Sequence, residues 1–166
     1  MALGAYMQKP IAIFAGSFDP VTYGHLDIIK RARKLFGPLV VLVMKNGAKS
    51  GLFSVEERVD LLQKSVADIA DITIDTAGGL VADYAKTHQI RLLVRAIRSC
   101  ADTQGELAQA HYNRLFNPGL ETVFLAAGEN MQFVSSSAVR EVARCGGDLT
   151  ALVPPCVQTA LSKKLK

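Results

Sequence analysis

The 166-residue chain, with 49% hydrophobic and 20% charged positions, has room for one domain with a sheet covered on both faces and too little for several. Its net charge of +4 is scattered and its 7% aromatic share unclustered, which disfavours a nucleic-acid partner and leaves an anionic small ligand. No apolar run approaches the roughly 20 residues that cross a bilayer and no charged start precedes a signal-like stretch, so a cytoplasmic protein with no membrane partner is expected.

The first six residues, ahead of Met7, carry no periodic pattern and read as an extension to a single domain over 7–166. Residues 10–15 form a continuous apolar run ending at Gly16, the mark of a strand buried on both faces and hence of a parallel sheet. After a polar loop, Leu26, Ile29, Ala32 and Phe36 recur at helical spacing until Gly37 and Pro38 stop the helix. A second strand follows over 39–43. Ser54, three residues before Glu57, gives a capping box ahead of a helix bearing Val59, Leu62 and Val66. The alternation continues with strands over 72–74, 91–94 and 122–125 and helices over 80–88, 103–116 and 137–144, and Pro154 and Pro155 open a last helix. Five strands separated by helices describe an α/β fold with a doubly wound, Rossmann-like parallel sheet of order 3-2-1-4-5. Ligands of such sheets sit beyond the carboxyl ends of the strands, where the strand order reverses.

The segment 16–25, Gly-Ser-Phe-Asp-Pro-Val-Thr-Tyr-Gly-His, lies in that place between the first strand and the first helix. Its glycines let backbone N–H groups approach phosphates, the helix N-terminus favours negative charge, and His25 can donate to a phosphate oxygen. The plainer alternative is a turn punctuated by Asp19, Pro20 and Gly24 with His25 as a cap; Asp19 suits a turn better than a metal ion. Arg95 and Arg98 leave the fourth strand, next to the first, and so face His25 across the crevice, where two planar guanidinium forks would clamp phosphates. Ser135, Ser136 and Ser137 at a helix start supply hydroxyls and free N–H groups for a triphosphate cradle. Residues 46–50 lack the Gly-Lys pair and the earlier glycine of a Walker A loop. Cys100, Cys145 and Cys156, odd in number and without C-x-x-C spacing, predict reduced thiols and neither disulfides nor zinc. His88 and His111 have no ligand spacing, although His111 could face a subunit contact.

Thr22-Tyr23-Gly24-His25 resembles the T/H-x-G-H signature of the nucleotidyltransferase superfamily, and the stretch from Val134 through the three serines to Arg140 resembles its I-S-S-S-x-x-R motif. With threonine at position 22, Lys49 ahead of the Phe-Ser-Val-Glu-Glu-Arg string at 53–58, and the Arg95/Arg98 pair, the resemblance narrows to the phosphopantetheine adenylyltransferase family from Ile11 to nearly the end. Related nicotinamide mononucleotide adenylyltransferases and glycerol-phosphate cytidylyltransferases usually carry histidine where this chain has Thr22. The resemblance implies transfer of the adenylyl group of ATP to 4'-phosphopantetheine. It implies that Ser17, Lys49, Val81 and Arg95 bind the acceptor. Ser17, Phe18, His25, Ala96, Ile97, Arg98, Glu106, Met131, Gln132, Phe133, Val134, Ser135, Ser136 and Ser137 would then bind ATP, with His25, Lys49, Arg98 and Ser17 carrying the chemistry. Mg²⁺ with ATP and assembly as a homohexamer are implied by the same analogy, and no protein metal ligands are expected. The family usually has glycine at 96, an aromatic residue at 105 and often an aromatic at 131, where this chain has Ala96, Gly105 and Met131. A non-enzymatic nucleotide sensor is the alternative from another class, and it would not need His25, Lys49, Arg95 and Arg98 together at the reacting phosphates.

Overall fold

The computed structural model describes residues 12–45 and 51–165. In chain order the elements are β1 (Ala12–Gly16), α1 (Tyr23–Phe36), β2 (Leu39–Lys45), α2 (Val55–Ser65), β3 (Ile72–Gly78), α3 (Val81–Thr87), β4 (Leu92–Ile97), α4 (Cys100–Phe116), β5 (Glu121–Ala126), α5 (Ser136–Arg144) and α6 (Pro155–Lys164). The five strands form one sheet of order β3-β2-β1-β4-β5 with every neighbouring pair parallel. This is the expected doubly wound topology.

Alternation along the central strands divides the core into two layers. Ala12 and Phe14 of β1 and Val41 and Val43 of β2 join Ile28 and Ile29 of α1, Leu61 and Leu62 of α2, Val139 of α5 and Val157 and Leu161 of α6 on one face. Ile13, Ala15, Val40 and Leu42 point the other way and pack on Ala82 and Ala85 of α3. The continuous apolar runs are therefore what a strand covered on both sides requires. No residue of α4 is buried.

Several boundaries differ from the sequence expectation, each for a local reason. The signature at 22–25 is not all loop: Thr22 is the N-cap of α1, and Tyr23, Gly24 and His25 form its first turn. Ser99 caps α4, its side chain accepting from the Asp102 N–H, so that helix begins at Cys100 and not at 103. Ser135 caps α5 in the same way, accepting from the Ala138 N–H, which moves that helix start to Ser136. β4 runs on to Ile97 because β5 keeps pairing with it, Arg95 opposite Phe124 and Ile97 opposite Ala126. Arg95 is thus a strand residue. On its other side, pairing of β1 with β4 stops at Phe14 opposite Val94. Beyond that register the backbone ladder between the two strands ends, and a crevice opens at the point of strand-order reversal. The expected strand start at Pro10 and Ile11 and the segment 46–50, with Lys49, lie outside the described residues.

Candidate active site

The crevice is a cleft of about 350 Å³ lined by Ala15, Gly16 and Ser17 after β1, Gly24, His25 and Ile28 of α1, Arg95, Ala96 and Arg98 at the end of β4, Glu106 of α4, Ala127 and Met131 after β5, and residues 134–137 with Arg140 at α5. The two motifs and the two arginines singled out by sequence therefore meet in one place.

His25 is fixed by its own helix start. The Thr22 N–H donates to its Nδ1 at 3.0 Å, the Thr22 Oγ1 lies 3.0 Å from the same nitrogen, and the His25 N–H donates back to that hydroxyl at 3.3 Å. This is a capping box with histidine in the place usually taken by Glu or Gln. A backbone N–H can only donate, so Nδ1 must carry a lone pair and the neutral ring keeps its proton on Nε2. Burial, and secondarily the Arg98 guanidinium, lower the pKa of His25 from 6.5 to about 4. The ring is consequently a neutral Nε2–H donor across the physiological range. The structure shows His25 as a cap, and because the cap uses Nδ1 it leaves Nε2 without a partner in that box.

The packing beneath explains the residue types around it. Phe18, 1% exposed, sets its ring edge against His25 at 5.0 Å and against Phe14 at 5.6 Å. Its backbone lies at φ 48°, an uncommon value for a bulky residue, held by the buried ring. A Cβ on Gly24 would sit 2.9 Å from the Val134 carbonyl oxygen, so glycine in the signature lets the loop before α5 close on α1.

Asp19 and Arg58 brace this wall. The Asp19 carboxylate accepts from the Leu52 and Phe53 N–H groups, each at 2.9 Å, and lies 3.5 Å from the Arg140 guanidinium, which also donates to the Asp19 carbonyl. Asp19 thus acts across loops more than 30 residues apart and not within its own turn. Arg58, 8% exposed, donates to the carbonyls of Phe53 at 3.0 Å and Ser17 at 3.1 Å. Neither arginine was singled out by sequence as a site residue, although Arg140 closes the serine motif and Arg58 closes the 53–58 string. Their spacing carries the signal; what they bond to is tertiary.

On the opposite wall, Arg95 forms a bidentate ion pair with Glu106 and donates to the Ala15 carbonyl at 2.8 Å. Arg98 pairs with Asp102, in the first turn of α4, at 3.1 Å. Of the three serines, the Ser136 hydroxyl donates to the Pro20 carbonyl at 2.8 Å and so ties α5 to the β1–α1 loop, while the Ser135 and Ser137 hydroxyls lie 3.0 Å apart. Other expected residues stand away from the cleft lining. Val81 starts α3 and packs on the second core layer, the Phe18 ring is in the core, Ile97 is half-buried, Gln132 is exposed, and Phe133 is 88% exposed. His88 caps α3 and stacks on Tyr84 at 4.1 Å, and His111 is exposed on α4. Among the described residues no three His, Cys, Asp or Glu side chains come together as a metal site, and Glu106 is the carboxylate in the cleft lining.

The sequence model of the cytidylyltransferase-like family matches residues 13–142. The chain is similar to the phosphopantetheine adenylyltransferase of Syntrophotalea carbinolica, with 44% identity over 158 residues and 95% of each chain covered. It is also similar to the protein of the same name from Thermotoga neapolitana, with 48% identity over 156 residues, 94% of this chain and 97% of the relative. A Plasmodium falciparum nicotinic acid mononucleotide adenylyltransferase, solved in complex with NaAD, superposes with a TM-score of 0.68 over 93% of this chain and 95% of that one. At 15% identity that likeness is one of fold.

Proposed function

The chain belongs to the phosphopantetheine adenylyltransferases of the cytidylyltransferase-like family, and from that premise we propose how its cleft moves the adenylyl group of ATP onto 4'-phosphopantetheine. The products are dephospho-coenzyme A, the step the family contributes to coenzyme A biosynthesis, and pyrophosphate. ATP lies over α1 and the N-terminus of α5, its triphosphate meeting Ser17, Arg98 and the N–H groups at the start of α5. The phosphate of the acceptor is held by Arg95 and Lys49, because a dianion in a partly dry site needs paired cations.

No residue acts as an essential general base. A phosphate monoester has a second pKa near 6, so the nucleophile is already largely ionised at neutral pH and needs no proton removed. What the reaction needs is stabilisation of the charge that gathers on the α-phosphoryl oxygens and on departing pyrophosphate as the acceptor oxygen attacks. The observation that carries this reading is His25 in the cleft lining, its Nδ1 accepting from the Thr22 N–H so that the neutral ring keeps its proton on Nε2.

Among the described residues the side chains lining the cleft offer hydroxyls, guanidinium groups, the His25 imidazole and one carboxylate that Arg95 already engages, and no three His, Cys, Asp or Glu come together there. Mg²⁺ therefore fits as an ion carried on the triphosphate and its waters, screening phosphate charge. Assembly as a homohexamer is supported by the exposed apolar side chains of α4, Leu107, Tyr112, Leu115 and Phe116, 49–61% exposed. A cytoplasmic location goes with the reaction, and among the described residues no helix is long and apolar enough to cross a membrane.

Incubation with ATP, Mg²⁺ and 4'-phosphopantetheine should give dephospho-coenzyme A by mass together with pyrophosphate. Turnover with nicotinamide mononucleotide or CTP and glycerol phosphate, and none with 4'-phosphopantetheine, would replace this substrate assignment by another within the family.

A further inference from the structure

Family resemblance divides Arg95 and Glu106 between two substrates, yet the two side chains are one unit. Arg95 Nε donates to Glu106 Oε2 at 2.6 Å and Nη2 to Oε1 at 2.7 Å, a parallel two-bond ion pair, while Nη1 donates to the Ala15 carbonyl at 2.8 Å. The side chains are 23% and 17% exposed, so solvent screens the pair only in part. A guanidinium has five N–H donors. Three are taken here, which fixes the plane of the fork and leaves two for a phosphate. Both Glu106 oxygens are engaged, and a carboxylate otherwise bare in this cleft would repel a triphosphate.

We infer that Glu106 is a positioning residue for the acceptor: it holds the Arg95 fork in the orientation that receives the phosphate of 4'-phosphopantetheine, and its contribution to ATP binding is minor. The inference rests on the reading that Arg95 binds the acceptor. Glu106 reaches the cleft from α4, a helix with no buried residue, so its effect is separable from the core. Without it, Arg95 keeps its charge and its bond to Ala15 but regains rotational freedom about that single anchor.

The experiment measures Michaelis constants for both substrates, equilibrium ATP affinity and melting temperature in Glu106→Gln, Arg95→Ala, their double variant and Glu106→Asp. Loss of charge-assisted bonds that order one cation predicts a rise of roughly tenfold or more in the acceptor Michaelis constant of Glu106→Gln, with ATP affinity changed less than about twofold. The double variant should bind the acceptor no worse than Arg95→Ala alone, and Glu106→Asp, which keeps the charge, should recover part of the affinity. A Glu106→Gln variant that loses ATP affinity and keeps acceptor affinity would overturn the inference, as would additive losses in the double variant or parallel losses for both substrates. If Arg95→Ala itself leaves the acceptor unaffected, the underlying assignment of Arg95 fails, and the inference with it. That outcome is distinct from the others because it does not involve Glu106.

Discussion

The wall of the cleft built from β1, α1 and α5 and the wall built from β4 and α4 hold their functional side chains by opposite means. On the first, Phe18, Asp19, Thr22 and Arg58 are all at most 8% exposed, and each is tied to a residue that lines the cleft. On the second, α4 buries nothing, and the arginines are set by ion pairs to Glu106 and Asp102. Changes to the first wall should therefore couple chemistry to stability, whereas changes to the second should separate them.

The largest effect is expected at the point where the two roles of the first wall meet. His25→Ala removes the proposed α-phosphoryl donor, and losing one such donor typically costs about 3 to 4 kcal/mol, or roughly a hundredfold to a thousandfold in turnover. It also removes half of a capping box, which costs about 1 kcal/mol of stability. Turnover and melting temperature measured on that variant should show both. Near-normal turnover with a lowered melting temperature would leave His25 as a cap alone.

Acid separates the same contributions without a mutation. The folded-state pKa of His25, about 4, is below the 6.5 of an unfolded chain, so the unfolded state takes up the proton first. The stabilisation is complete above about pH 6.5 and declines as pH falls toward 4, by on the order of 3 kcal/mol in all. Denaturant titrations of wild type and His25→Ala across that window should draw together as the pH falls and then cross, because the acid loss of about 3 kcal/mol exceeds the roughly 1 kcal/mol that the cap contributes at neutral pH. A constant difference between them would contradict the shift.

Gly24→Ala tests the brace between α1 and the loop before α5. Its Cβ would lie 2.9 Å from the Val134 carbonyl, so the loop must retreat, which is expected to cost about 1 to 3 kcal/mol of stability and to raise the ATP Michaelis constant. Unchanged ATP binding would detach this contact from the nucleotide site.

The smallest effect is expected on the second wall, with the opposite sign. Gly105 lies inside α4, and a Cβ there would meet nothing within 4 Å. Gly105→Ala should therefore stabilise the fold by about 1 kcal/mol, seen as a melting temperature higher by roughly 2 to 4 °C, with turnover unchanged. A fall in turnover would show that the second wall is not separable after all.

The contrast between the walls also explains what could be read from sequence. Apolar runs such as 39–43 and the Ser54/Glu57 capping box depend on neighbouring residues, and both are found in place, the box with its reciprocal bonds. The signature at 22–25 and the serines at 135–137 could be read as elements of one cleft, which both do line, because an anion site at a helix start calls for those residue types. Helix starts were misplaced where one serine decided them, since Ser99 and Ser135 act through a single bond each. The partners of Asp19, Arg58 and Glu106 were not legible. Each bond crosses from one element or loop to another, and no local pattern encodes which amide or guanidinium will be waiting there.

The central claim is that the buried first wall presents His25 to the cleft as a neutral Nε2–H donor, and nitrogen-15 NMR of the imidazole in the free enzyme measures this directly. A pH titration should give a pKa of about 4 and, above it, the chemical shifts of a ring protonated on Nε2 with Nδ1 accepting. A pKa near the ordinary value of about 6.5, or a ring protonated on Nδ1, would contradict the account.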